Sequence, residues 1–131
     1  MATIFTKIIN GEIPCHKIFE DENHLAFLDI QPLAMGHVLC IPKREVDYIF
    51  DLSPKETAEL WQFTQPIAKA IQAAILCKKV GIAVIGLEVP HAHIHLVPLQ
   101  NVGDINFSKA KLTPTTEELT EVAEKIRNAL L

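Results

Sequence analysis

The sequence of 131 residues contains only three cysteines, and they lie far apart along the chain, at Cys15, Cys40 and Cys77. An odd number of cysteines at these spacings provides neither a disulfide framework nor a C-x-x-C motif. This excludes a disulfide-stabilised fold and a cysteine-rich metal or redox centre. We therefore expect free, partly buried thiols in the reducing environment of the cytoplasm.

The chain also lacks an excess of basic residues and any long apolar run. Its formal net charge is −4, whereas nucleic-acid polymers and acidic membrane surfaces are bound by basic faces. No run approaches the roughly 18 apolar residues that span a bilayer. The N-terminal segment MATIFTKIINGEIP lacks the uncharged core of a signal peptide. We expect a cytoplasmic protein with no nucleic-acid polymer or membrane partner, and a small anionic ligand remains allowed.

One domain is expected, because 131 residues with 49% hydrophobic content suffice for a single core. Five short β-rich runs predict strands. They lie at 17–21, 24–29, 37–42, 80–86 and 91–97. The last two runs are joined too closely for a parallel crossover, so we expect them to pair antiparallel.

Two amphipathic segments each open with a capping box, at Ser53 and at Thr115. They predict a long central helix and a C-terminal helix. Pro66 lies inside the first segment and lacks a backbone donor, so we expect a kink or an irregular turn near residues 62–66. The order strands, helix, strands, helix favours an α+β fold.

Residues 89–98, VPHAHIHLVP, hold three of the six histidines, at His91, His93 and His95. Alternate residues of a strand share one face and stand about 6.5–7 Å apart. Such neighbours can act together on one small substrate. A neutral imidazole held through one nitrogen can attack phosphorus with the other, and the central His93 is the natural nucleophile.

Two other interpretations of the three histidines stay open at this point. Histidines at i and i+2 of a strand form a plausible Zn²⁺ chelate that needs a third ligand, and His24, His37 and Glu45 are candidates elsewhere in the chain. Alternatively, the segment is an exposed strand that is rich in histidine and has no chemical role.

The HAHIHLV segment resembles the H-φ-H-φ-H-φ-φ signature of the histidine triad (HIT) family. The segments IFTKIINGEIP, IFEDENHLAFLDIQP and GHVLCIPK resemble blocks of its nucleoside phosphoramidate hydrolase branch. The resemblance covers about residues 3–98 and leaves a C-terminal extension with the helix at about 115–130. It implies one HIT domain over residues 1–131, built on an antiparallel sheet, and usually a homodimer.

The resemblance implies a hydrolase that binds purine nucleotides such as AMP derivatives. It would cleave nucleoside 5′-phosphoramidates at the α-phosphorus through a nucleotidyl-histidine. His93 would be the nucleophile, and His95 and His91 its phosphate-binding and orienting partners. The alternatives are a dinucleoside polyphosphate hydrolase, or a nucleotide- or partner-binding module with weak catalysis. No cofactor is expected to be required.

The same matching places a carboxylate, Asp29, against the ribose hydroxyls, and an ionised carboxylate can accept both hydroxyl hydrogen bonds. Glu88 stands where the family contacts the leaving group. The matched positions of the apolar base pocket are Phe5, Ile8, Phe27, Ile30 and Leu39.

Several positions depart from the family pattern. Val80 and Ile82 stand in place of the asparagine and glycine of an Asn-x-Gly motif, Leu87 replaces a glutamine, and Leu99 stands where an arginine is frequent. Losing one aligned donor at a charged transition state can cost roughly 10²–10³-fold in rate. The resemblance therefore predicts the nucleotide site more firmly than the rate of catalysis.

A structural zinc is a secondary hypothesis. Some relatives place zinc ligands at the positions of His24, His37 and His91, and Glu45 is a candidate for the fourth.

Overall fold

The structure is a computed structural model that describes residues 2–130; Met1 and Leu131, the two ends of the expected domain, lie outside the described residues. It contains strands β1 (Lys17–Glu20), β2 (His24–Leu28), β3 (Val38–Pro42), β4 (Lys79–Ala83) and β5 (Ile94–Leu99), and helices α1 (Ile4–Ile9), α2 (Pro54–Ala74) and α3 (Thr116–Ala129). The strands form one antiparallel sheet in the order β1-β2-β3-β5-β4. The expected α+β fold is confirmed.

Both predicted capping boxes form. The Ser53 and Thr115 side chains accept from the backbone N–H groups of Glu56 and Glu118, whose carboxylates bond back to the cap residues. Helix α2 continues without interruption through Pro66, so the irregular turn expected near residues 62–66 does not form. The buried face of α2, from Leu60 to Ile71, packs against the sheet and α3, and this packing outweighs one lost backbone hydrogen bond.

The three central strands, β2, β3 and β5, are buried on both faces of the sheet. Alternate residues of β2 and β3 point to opposite sides, so Ala26 and Cys40 pack in the core beneath α2 and α3. Their neighbours Phe27 and Leu39 pack on the other side against Phe5 of α1. We call the side of the sheet that carries Ala26 and Cys40 the α2 face, and the side that carries Phe27 and Leu39 the α1 face. His95 is paired with Leu39 and lies on the α1 face.

The last two predicted strands are shorter at the segment that joins them. Strand β4 ends at Ala83 instead of residue 86, and β5 begins at Ile94 instead of residue 91. Pro90 has no backbone donor, and the N–H of Ala92 donates to the carbonyl of Val46 across 2.6 Å, away from the β3 ladder. His91 and His93 therefore lie in the loop that enters β5, and His95 alone of the three lies in the strand. Among the described residues, no helix has the length and hydropathy needed to cross a membrane.

Candidate active site

His93 lies just before β5 and is held by the loop backbone. Its Nδ1 is 2.6 Å from the carbonyl oxygen of His91, and because that oxygen only accepts, Nδ1 carries the proton and donates. The lone pair is then on Nε2. Burial lowers the pKa of His93 below the ordinary value of 6.5, so the ring is neutral at pH 7. Its Nε2 has the electronic state of a nucleophile.

A directed chain of hydrogen bonds orients His95. The backbone N–H of Leu33 donates to Nδ1 of His37 across 3.0 Å, so the proton of the neutral His37 ring is on Nε2. That Nε2–H donates to Nδ1 of His95 across 2.9 Å. The proton of the neutral His95 ring is therefore on Nε2, where it is available to a phosphoryl oxygen.

The rings of His37 and His95 are neutral because they are buried. Burial lowers the pKa of His37 to about 4 and that of His95 to about 3. The ring centroid of His95 is 4.7 Å from that of His93 and 4.6 Å from that of Phe107. A nucleophilic imidazole and a hydrogen-bond-donating imidazole thus stand side by side.

His91 is fully buried and both of its ring nitrogens are engaged. Nε2–H donates to the carbonyl of Pro42 across 2.8 Å, and the Thr3 hydroxyl lies 3.0 Å from Nδ1. Thr3 is also the N-cap of α1, and its backbone N–H donates to Glu45, which also accepts from the hydroxyl of Thr6. His91 therefore acts through its backbone carbonyl and its packing. The role of Thr3 was missed, although a threonine before an apolar segment is an N-cap signal.

A cavity of about 400 Å³ opens beside the two imidazoles. Among the predicted site residues, its lining contains Phe5, Asp29, Leu39, Glu88, His93 and His95. The other three predicted pocket residues do not line it. Ile8 and Phe27 pack behind it in the α1-face core, and Ile30, in the turn after β2, is 63% exposed.

Asp29 stands at one side of this cavity. One carboxylate oxygen accepts from the backbone N–H of Gln31 at 2.9 Å, and the other is 3.7 Å from Nε2 of His37. Burial raises the pKa of Asp29 above its ordinary value, although the Gln31 hydrogen bond and the charge of Lys111 oppose this.

Two lining residues, Phe107 and Lys111, come from the segment between β5 and α3 and were not predicted. The structure also shows where residues that depart from the family pattern lie relative to this cavity. Leu87 lines the cavity and is 88% exposed. Val80 instead packs on the α2-face core, so an asparagine at Val80 in this register would point away from the imidazoles.

The structure does not bring the four zinc candidates together. His24 lies on the α2 face, where its ring stacks on Phe63 and bonds to Asp21. His37 points into the α1 face, and His91 and Glu45 are occupied by the contacts described above. The group that could hold a metal among the described residues is instead Asp29, His37 and His95, whose ligand atoms lie within 4.8 Å of one another. Because Nε2 of His37 carries a proton, a metal ion there must first break the His37–His95 hydrogen bond.

The fold and the site together define an α+β domain in which two of the three histidines, His93 and His95, line a cavity of about 400 Å³, and comparisons with known proteins agree. The HIT domain family model matches residues 10–102. The chain is 38% identical over 132 residues to a HIT-like protein of Methanocaldococcus jannaschii, covering 91% of this chain and 97% of that one. It is also 38% identical over 136 residues to adenosine 5′-monophosphoramidase hnt1 of Schizosaccharomyces pombe, covering 99% of both.

Solved structures agree with these relatives. A zinc-bound histidine triad family protein from Mycobacterium smegmatis has a TM-score of 0.85 and 32% identity, covering 99% of this chain and 94% of that one. A HIT-like protein from Bartonella henselae has the same TM-score at 34% identity, covering 98% and 96%. The chain therefore belongs to the HIT domain family, and its general kind is that of a nucleotide hydrolase.

Proposed function

We propose that the protein hydrolyses purine nucleoside 5′-phosphoramidates through a nucleotidyl intermediate on His93. The observation that carries this proposal is the 2.6 Å hydrogen bond from Nδ1–H of His93 to the His91 carbonyl, which leaves Nε2 with a free lone pair. The name of the S. pombe relative, an adenosine 5′-monophosphoramidase, supports the substrate class.

The proposed reaction has two displacements. First, Nε2 of His93 attacks the α-phosphorus, the P–N bond to the leaving group breaks, and the leaving amine takes up a proton. Then water attacks the same phosphorus, the bond from phosphorus to His93 breaks, and the proton lost by water balances the first. The Nε2–H of His95 donates to a phosphoryl oxygen throughout, and Asp29 accepts from the ribose hydroxyls. No step needs a metal ion.

The carboxylate of Glu88 favours an amine over an anion as leaving group. Glu88 lines the cavity, and its charge acts on His93. An anionic leaving group, as in a dinucleoside polyphosphate, would be repelled there. We expect Glu88→Gln to raise the rate on a dinucleoside polyphosphate relative to the rate on a phosphoramidate. Unchanged relative rates would remove Glu88 as a determinant of the leaving group.

The test of the function is AMP release from adenosine 5′-phosphoramidate by wild type and His93→Ala, each with and without a chelator. His16→Ala is the control, because His16 lies outside the cavity lining. We expect turnover that survives the chelator and is lost only in His93→Ala. A wild type that binds AMP without turnover would make the protein a nucleotide-binding module, and loss of turnover with the chelator would make it a metal enzyme.

We also propose that the protein is a homodimer. Strand β4 is an edge of the sheet, and large apolar side chains around it are exposed, among them Trp61, Ile82 and Val84. An unpaired edge beside an exposed apolar patch is the surface that a second copy covers. Light scattering should show a dimer that Val84→Lys dissociates. Ile30→Lys, at a side chain that is 63% exposed in the turn after β2 and separated from β4 by strands β3 and β5, should leave the dimer intact. A cytoplasmic location remains a prediction from the free cysteines.

A further inference from the structure

The segment between β5 and α3 closes one side of the nucleotide cavity. The backbone N–H of Leu112 donates to the carbonyl of Pro32 across 2.9 Å, which joins this segment to the loop that carries Asp29 and orients His37. The ring of Phe107 packs edge-on against His95, with the centroids 4.6 Å apart. The segment is therefore held against the cavity at two points.

Lys111 is the positively charged residue that this segment contributes to the cavity. It is the one lysine or arginine among the described residues that line the cavity, which also contains the carboxylates of Asp29 and Glu88. The Nζ of Lys111 donates to the carbonyl of Phe107 across 3.2 Å. An ammonium has three donors, so this bond positions the group and leaves two donors for a ligand.

The positive charge of Lys111 balances the negative charges of the cavity lining. His93 and His95 are neutral, so without Lys111 the lining has two carboxylates and no cation. A nucleotide phosphate would enter that environment against repulsion. Leu87, which also lines the cavity, has no side-chain hydrogen-bond donor.

We propose that Lys111 is a substrate-binding residue whose ammonium binds the anionic phosphoryl oxygens of the nucleotide. From the segment between β5 and α3 it supplies a cationic donor, which the other side chains of the lining do not. This assignment rests on the proposed function, because it takes the cavity to be the nucleotide site. It adds a determinant of affinity for the phosphate, separate from the contacts to base and ribose.

The test compares binding of AMP with binding of adenosine, which lacks the phosphate, by calorimetry on the full chain. The variants are Lys111→Met and Lys111→Arg. Lys109→Met is the matched control, since Lys109 lies two residues earlier, is exposed and bonds to Gly103 instead of the cavity. We expect Lys111→Met to weaken AMP binding by about tenfold to a hundredfold, as for loss of a hydrogen bond between charged groups. Adenosine binding should not change, and Lys111→Arg should restore most of the affinity for AMP.

Each of the other possible results would contradict one specific part of the proposal for Lys111. Equal weakening of AMP and adenosine would show that Lys111 acts on Asp29 and the ribose, not on the phosphate. Equal effects of Lys109→Met would reduce the result to general surface charge, and unchanged AMP binding would exclude the contact. A wild-type protein that binds no AMP would instead overturn the proposed function. Thermal unfolding of each variant confirms that it is folded.

Discussion

Leu33 donates its backbone N–H to Nδ1 of His37 across 3.0 Å, and this bond decides where the protons lie on two imidazoles. A backbone amide cannot reverse its role, whereas the direction of a hydrogen bond between two histidines depends on their tautomers. The direction is therefore set from the main chain outward, through His37 to His95. The donor that faces the substrate is specified by a leucine whose side chain takes no part.

Replacing His37 should weaken catalysis more than binding. In His37→Gln the donor to Nδ1 of His95 is altered and the ring loses its orientation. We expect kcat to fall by about tenfold, equivalent to one hydrogen bond of about 1.4 kcal/mol, with little change in KM. Nitrogen NMR of His95 should report a changed tautomer. His24→Gln, at a buried histidine on the α2 face, is the control, and an equal loss of kcat there would contradict the orienting role.

Thr3→Val should destabilise the protein, because the buried Nδ1 of His91 loses its donor and α1 loses its N-cap. We expect about 1–3 kcal/mol less free energy of unfolding, measured in urea. As a control, Thr120→Val removes an exposed hydroxyl that donates to the carbonyl of Thr116 in α3 and should cost at most about 0.5 kcal/mol. If both variants lower the free energy of unfolding equally, the contact between Thr3 and His91 does not stabilise the protein more than a surface hydroxyl does.

Stability should fall as the pH is lowered from 6.5 towards 4. The folded pKa of His37 is about 4 and that of His95 about 3, both below the ordinary 6.5, so the unfolded chain binds more protons in this range. The two neutral histidines make their full contribution to the free energy of unfolding above pH 6.5. This contribution is lost as the pH falls below 6.5 towards their folded pKa values. For His37 alone the loss is on the order of 3 kcal/mol. Urea unfolding at pH 7.5 and 4.5 should show a smaller difference for His37→Gln than for wild type.

Zinc should inhibit the enzyme. A Zn²⁺ ion at Asp29, His37 and His95 requires the His37 ring to give up the Leu33 bond or the Nε2 proton, and it removes Nδ1 of His95 from the hydrogen-bond chain. We expect turnover to fall as micromolar Zn²⁺ is added and to recover with a chelator. Magnesium should have little effect because it prefers oxygen ligands. Asp29→Asn should weaken the inhibition, and activation by Zn²⁺ would exclude this account.

The parts of the structure with local signals could be predicted from the sequence. The capping boxes at Ser53 and Thr115 are set within four residues. His93 and His95 do lie beside one another, with ring centroids 4.7 Å apart, but only His95 lies in the strand that the spacing predicts. The zinc candidates show the limit. Whether His24 and His37 share a face depends on the path of the chain between strands, which the local sequence pattern does not determine.

The cavity wall could not be predicted for a related reason. Lys111 lies in a segment without periodic pattern, and its position depends on contacts with distant residues, namely the backbone bond from Leu112 to Pro32 and the packing of Phe107 on His95. Ile30 has the opposite error: its apolar side chain matched the base pocket, yet the turn after β2 leaves it exposed. Both errors concern loops, whose positions are set by distant contacts.

The bonds that orient the histidines also have a kinetic consequence. Thr3 and His91 are 88 residues apart in the chain, and His37 and His95 are 58 apart. Contacts at such separations pay the loop-closure entropy of the intervening chain before they form. We therefore expect helix α2, whose hydrogen bonds are local, to form first and the imidazoles to acquire their tautomers late in folding. In refolding experiments, recovery of activity should lag behind recovery of helical structure.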